Sequence, residues 1–322
     1  CSIQEVVRIA GETLHVHFLG TAGALPSPQR NPPSILIRRG SDTLLFDCGE
    51  GTQQQMMRAR TGFTVNAIFI THWHADHFLG VFGLVETLAF MGRTDPLPIY
   101  GPPWVGEFVD LVQGISRHVR GFPITGYALE HGSVVPFNGY TVRAFATFHG
   151  IPGLGYVLEE DERPGRFNRE QAIALGIPPG PLFGRLQRGE AIRIVRDGVE
   201  TEVRPRDVMG EPRPGRKIVY TGDTRPLQRL PDAAGMVRDA DLLIHDATFD
   251  DEEADRAREV LHSTAGEAGE AAAASGARML ALVHISSRYT STANHIRDAK
   301  RRYEGDVILP ADLTVLEVPF RS

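Results

Sequence analysis

The run Thr71-His72-Trp73-His74-Ala75-Asp76-His77 constrains this chain more than any other stretch, because three histidines and an aspartate fall within six residues. It follows the apolar run Ala67-Ile68-Phe69-Ile70, so the cluster sits where a buried strand gives way to a turn and a helix. On such a turn alternate side chains can point at one cation and the next pair at a second, which makes the run part of a dinuclear metal site. Three unrelated surface or capping histidines are the competing reading, and their density argues against it.

Four ligands cannot complete two coordination spheres, so further donors are expected at other strand ends. His149 follows the β-like run 142–148, Asp223 follows Lys217-Ile218-Val219-Tyr220-Thr221-Gly222, and His284 closes Leu280-Ala281-Leu282-Val283. The assignment gives one ion His72, His74 and His149, the other Asp76, His77 and His284, with Asp223 bridging. Seven nitrogen and oxygen donors without a thiolate suit Zn²⁺, two per subunit, with Mn²⁺ tolerated. Two ions on one carboxylate lie about 3.5–4 Å apart and bring the pKa of a shared water towards about 7. Asp76 can then accept its proton. His262 is surplus as a ligand; it precedes Thr264-Ala265-Gly266-Glu267, which has capping-box spacing, and is placed to protonate a leaving oxygen. Asp246, after Leu242-Leu243-Ile244-His245, is a candidate to orient His262 or a ligand.

Helical patterns at 106–119, 252–261, 264–275 and 294–303 alternate with the strands, which predicts a layered α/β sandwich. The 322 residues suffice for a large core. Cys1 and Cys48 are too few for a disulfide framework, no apolar stretch reaches the length of a membrane helix, and Glu5, Arg8 and Glu12 interrupt any signal peptide. A cytoplasmic protein without membrane attachment is the expectation. A net charge of −6 argues at first against a nucleic-acid partner. That average hides a division: residues 163–217 carry 12 Lys or Arg against 7 Asp or Glu, a net +5, which leaves −11 for the rest. The same segment is rich in Gly and Pro around Ile177-Pro178-Pro179-Gly180-Pro181-Leu182-Phe183-Gly184 and reads as an insertion with a rigid tip.

With these motifs assembled, the chain resembles the ribonuclease Z family, the tRNA 3′-processing endonucleases of the metallo-β-lactamase superfamily, in their short form. The superfamily resemblance rests on His-x-His-x-Asp-His with His149, Asp223 and His284. The narrower one rests on Phe18-Leu19-Gly20-Thr21 with Arg30-Asn31, on 45–52, on Phe148-His149 with Pro152 and Gly155-Tyr156, on His262-Ser263-Thr264, and on 284–289. The segment 176–186 resembles the flexible arm that grips tRNA. Two departures stand out: Pro28 replaces the Lys of some bacterial members, and Asp246 stands where the family shows Glu. The resemblance implies a four-layer αββα metallo-β-lactamase sandwich, a single domain over 1–322 with a tRNA-binding arm inserted at about 160–205. It implies removal of the 3′ trailer from precursor tRNA after the discriminator nucleotide, by a homodimer, with Asp76 and His262 catalytic. Substrate contacts are expected at Arg30, Asn31, Gly180, Pro181, Gly184, Arg185, Ser286 and Arg288. A small-molecule phosphodiesterase or other ester hydrolase of the same fold is the alternative, which would have no use for an arm; a metal-bound, inactive RNA-binding protein is a remoter one.

Overall fold

The computed structural model describes residues 13–115, 121–196, 199–227 and 230–321. Cys1, Glu5, Arg8 and Glu12 lie outside the described residues, as does the end of the helix expected at 106–119. In chain order the first half supplies strands β1 (Leu14–Gly20), β2 (Ala22–Gly23), β3 (Ser34–Arg39), β4 (Asp42–Phe46), β5 (Ala67–Phe69), β6 (Leu97–Gly101) and β7 (Ile124–Ala128). There follow β8 (Val134–Phe137), β9 (Tyr140–Ala146), β10 (Leu154–Glu160), β11 (Ile192–Arg196), β12 (Val199–Val203) and β13 (Lys217–Tyr220). The last are β14 (Leu242–Asp246), β15 (Met279–Val283), β16 (Ile285–Ser286), β17 (Asp306–Ile308) and β18 (Thr314–Glu317). They build two seven-stranded sheets, ordered β18-β1-β3-β4-β5-β6-β7 and β17-β15-β14-β13-β10-β9-β8, with a β11–β12 hairpin and a short β2–β16 pair.

Neighbours from β4 to β7 run parallel, as do β13, β14, β15 and β17. Parallel pairing brings strand C-termini to one rim, where α/β proteins place their ligands. There Asp47 follows β4, His72 follows β5, Asp223 follows β13, and His284 follows β15, while Asp246 closes β14. β14 runs through His245 and Asp246, two residues beyond its apolar run, because both pair with β15 opposite Leu282 and Val283.

The inner faces of the sheets share one core, in which Phe46 stacks on Phe69 at 5.1 Å and Tyr156 meets Phe69 edge-on at 5.3 Å. Of the helices α1 (Thr52–Ala59), α2 (Ala75–Phe78), α3 (Gly80–Phe90) and α4 (Val105–Ile115), the longer three cover the outside of the first sheet. Beyond α5 (Arg169–Ala174) and α6 (Pro181–Gln187) come α7 (Ala234–Val237), α8 (Ala254–Glu259), α9 (Ala265–Ser275) and α10 (Ala293–Lys300). A third core sets Val237, Ala268 and Ala299 of these against Leu243 and Leu282, so the layers run helix, sheet, sheet, helix. The helix expected at 252–261 opens as a 3₁₀ turn over Asp251–Glu253, where three successive acids form the first turn.

Glu160–Gly215 is a separate compact unit with its own core of Ala172, Ile177, Leu186, Ile192, Val203 and Val208. It enters the sequence between β10 and β13, which pair antiparallel with Glu159 opposite Lys217. Its end lies ten residues past the 205 expected, because the bridges Arg163–Arg213 and Phe167–Met209 close its base. The Gly-Pro stretch starts a helix, with Gly180 at the N-cap and Pro181 in the first turn of α6.

Candidate metal centre

The Asp223 carboxylate is the hub of the rim. Its Oδ2 lies 3.7 Å from His72 Nε2, 3.4 Å from His77 Nε2, 3.7 Å from His149 Nε2 and 3.2 Å from His284 Nε2. Donor atoms of His72, His74, His149 and Asp223 all fall within 4.8 Å of one another, and so do those of Asp76, His77 and His284. All seven donors expected from the sequence therefore converge. The two groups meet at Asp223, since a third set of the same span joins Asp223, His262 and His284.

Four of the five imidazoles are aimed by their far nitrogen. His72 Nδ1 bonds to Thr71 Oγ1 at 3.0 Å, His77 Nδ1 donates to Asp47 at 2.8 Å, His149 Nδ1 donates to the Leu261 carbonyl at 3.0 Å, and His284 Nδ1 donates to Thr248 Oγ1 at 2.8 Å. Fixing one ring nitrogen this way sets the tautomer and turns the other nitrogen inward. Three residues that supply these contacts or the ring itself, Asp47, Leu261 and His284, hold φ of 55°, 61° and 62°, a left-handed conformation that non-glycine residues avoid and that clusters at functional sites. Gly222 at φ 58° makes the turn into Asp223, and a Cβ there would lie 2.7 Å from Thr71.

The inward nitrogens of His72 and His149 both meet His74 Nδ1, at 2.9 and 3.2 Å, and four other inward atoms are left without partners. Among the described buried side-chain atoms, Asp76 Oδ2, His77 Nε2, Asp223 Oδ1 and His284 Nε2 accept or donate no hydrogen bond. A cluster of orphaned nitrogens and carboxylate oxygens is costly unless a cation fills it. The electrostatics agree. Burial and His77 push His72 well below the ordinary histidine range against the pull of Asp223. Burial disfavours a charged His77, yet Asp223, Asp47 and Asp76 hold its pKa well above the ordinary value. Burial likewise opposes ionised Asp223, and the surrounding His284, His77 and His72 overcome it and hold the carboxyl well below its usual range. Donors of this kind fit divalent metal.

His262 stands beside this set, its ring centroid 4.4 Å from that of His149. Its Nδ1 donates to Asp246 Oδ2 at 2.8 Å. Burial works against its charged form, but the charge and hydrogen bond of Asp246 carry its pKa up to about 9.

A model of the metallo-beta-lactamase superfamily matches residues 28–262. Ribonuclease Z of Methanosarcina acetivorans is 52% identical over 96% of this chain and 99% of its own length, and ribonuclease Z of Myxococcus xanthus is 47% identical over 96% and 99%. The chain belongs to the ribonuclease Z family. Among solved structures it is similar to human tRNase Z, short form, at a TM-score of 0.66 and 26% identity, with 95% of this chain and all of that one covered. As a ribonuclease Z, the chain is an endoribonuclease on the metallo-β-lactamase fold.

Against this ribonuclease Z frame the expected substrate contacts divide. Arg30 and Ser286 line one cavity of about 600 Å³ with Ser27, Pro28, Gln29 and Ser287. The Arg30 guanidinium itself is engaged by the Pro310 carbonyl at 2.8 Å and by Thr21 Oγ1. Asn31 lies in a neighbouring groove with Glu50, Gln53 and Gln54. Arg288 pairs with Glu253 at 3.1 Å. Arg185 pairs with Glu190 at 2.9 Å in the inserted unit, near Gly180, Pro181 and Gly184 of the same short helix. Sequence reading missed the roles of Asp47, Thr248 and the Leu261 carbonyl. Only Asp47 left a trace, as an acid closing the apolar run 44–46.

Proposed function

We propose that this chain removes the 3′ trailer from precursor tRNA, cutting after the discriminator nucleotide with two Zn²⁺ ions held by His72, His74 and His149 on one side, Asp76, His77 and His284 on the other, and Asp223 between. What carries the reading is the convergence of these donors on one carboxylate. When bound, the ions supply Lewis acidity at the phosphoryl oxygens and a water acidic enough to attack at neutral pH. Asp76 is part-exposed at the rim and takes the proton of the attacking water. His262, held by Asp246, gives a proton to the departing O3′ as the P–O3′ bond breaks, leaving a 3′-hydroxyl on the tRNA and a 5′-phosphate on the trailer. The inserted unit, an arm with a net basic sequence, grips the body of the tRNA through its phosphates, with Gly180, Pro181, Gly184 and Arg185 among the contacts. At the acceptor end Asn31, Ser286 and Arg288 are the proposed contacts, with Arg30 holding their loop. A cytoplasmic homodimer completes the reading. Among the described residues no helix is long and apolar enough to cross a membrane.

The deciding experiment incubates the zinc-loaded protein with a 3′-extended precursor tRNA and maps the ends. A single cut 3′ of the discriminator, with the termini above, is expected. Cleavage elsewhere, or hydrolysis of small diesters alone, would favour a small-molecule phosphodiesterase instead. Sedimentation at micromolar concentration tests the dimer.

A further inference from the structure

Arg225 is a cation that RNA cannot reach. Its side chain is 4% exposed, so it offers no surface to a phosphate. Burying a guanidinium is unfavourable unless its donors are all used. Here one terminal nitrogen donates to the backbone carbonyl of His262 and the other to Glu267 Oε1 at 2.7 Å. Glu267 is itself fixed: its carboxylate accepts from Thr264 N at 3.0 Å, and its own N–H donates to Thr264 Oγ1 at 3.1 Å, the capping box of α9. The backbone of the same short segment holds a second loop. Arg225 N donates to the Phe148 carbonyl at 2.9 Å, and Phe148 N donates to Thr224 Oγ1 at 3.2 Å, directly before His149.

We infer that Arg225 is a positioning residue for the leaving-group step: its guanidinium pins the His262 backbone to the N-terminus of α9, while Asp246 turns the ring. The inference rests on His262 as the proton donor. His262 lies between α8 and α9 on a chain turn whose preceding residue, Leu261, is left-handed; its N–H donates to the Ala257 carbonyl at 2.8 Å, which ties the start of the residue to α8 and leaves the carbonyl end to Arg225. Asp246 and Thr248 Oγ1 meet the ring at Nδ1, and Arg225 takes the carbonyl and links it to Glu267 of α9. Removing the guanidinium leaves intact the backbone link from Arg225 N to Phe148 and the bond from His262 N to the Ala257 carbonyl, which keeps Leu261, the partner of His149 Nδ1, tied to α8.

The test compares zinc-loaded wild type, Arg225→Lys, Arg225→Gln, His262→Ala and the Arg225→Gln/His262→Ala double variant. Two precursor tRNAs serve as substrates, identical except that one carries sulfur in place of O3′ at the scissile linkage. A thiolate leaves without a proton. Both Arg225 variants are expected to keep two zinc ions by elemental analysis and to lose roughly 10- to 100-fold in kcat on the oxygen substrate, with KM little changed. On the sulfur substrate they are expected to stay within about threefold of wild type. Adding Arg225→Gln to His262→Ala should slow the oxygen substrate no further, because the two act as one unit. Equal losses on both substrates, lost zinc in both Arg225 variants, or an additive double variant would overturn the inference, as would unchanged cleavage. If His262→Ala itself is insensitive to the sulfur, the proton-donor reading fails. A sulfur-sensitive His262→Ala beside insensitive Arg225 variants rejects the positioning role alone.

Discussion

Asp47 carries more of the site than its place in the sequence suggests. Fully buried, it accepts from Thr71 N at 2.8 Å, Thr71 Oγ1 at 2.9 Å, Tyr220 Oη at 2.8 Å and His77 Nδ1 at 2.8 Å. The first three hold the carboxylate still, and the fourth transmits that rigidity to His77, a candidate metal donor. Partners of this kind are worth about 10- to 100-fold in metal affinity. Asp47→Ala is therefore expected to weaken one of two zinc ions by that factor in a competition titration against a chromogenic chelator, leaving the other near its wild-type affinity. Equal affinities in variant and wild type would show that the His77 ring is oriented without Asp47. Arg30 shows the opposite case. A basic residue in a surface loop reads as a phosphate contact, but its bonds to Thr21 and Pro310 make it a staple of that loop.

At the scale of elements, the site exists because parallel strands end together and because the helices behind them pack closely. α9 is rich in Ala and Gly for that reason: a Cβ on Gly269 would meet the Ala299 carbonyl oxygen of α10 at 2.6 Å. Backbone cannot yield as a flexible side chain can, so overpacking here forces the two helices apart. Gly269→Val is expected to destabilise the fold by about 1–3 kcal/mol, read as a lowered urea midpoint at unchanged slope. A midpoint equal to wild type would show that α10 shifts freely. The strand that carries Asp246 illustrates how elements escape sequence reading. His245 and Asp246 break the apolar run, and only their ladder with Leu282 and Val283 keeps them in β14.

Two predictions belong to the whole molecule. The inserted unit has its own core and joins the sandwich between two antiparallel neighbours, so residues 161–215 can be replaced by a two-residue Asn-Gly turn, one position beyond the Glu159–Lys217 pair. The shortened protein is expected to hydrolyse bis(p-nitrophenyl) phosphate within a few-fold of wild type and to lose precursor tRNA cleavage; equal loss of both would remove the arm assignment. Metal removal should act on the sandwich. The partnerless atoms at the rim make the native state the form that binds ions, and a ligand at 100 times its Kd stabilises by about 2.7 kcal/mol. Chelation is therefore expected to lower the melting temperature by at least about 5 °C, restored by zinc. No shift would mean that the cluster is stable without ions. The sequence alone determined which residues are candidate donors and where strands end, because metal-binding side chains grouped at short spacing and apolar runs broken by polar residues are local, chemical signals. It also marked the charge division between body and insertion. Only the tertiary structure decided that seven candidate donors from four segments meet around Asp223, that Asp47, Thr248 and Leu261 aim their rings, and that Arg225 and Arg30 face inward. Those facts depend on contacts between residues tens to hundreds of positions apart, and folding alone brings them within hydrogen-bond reach.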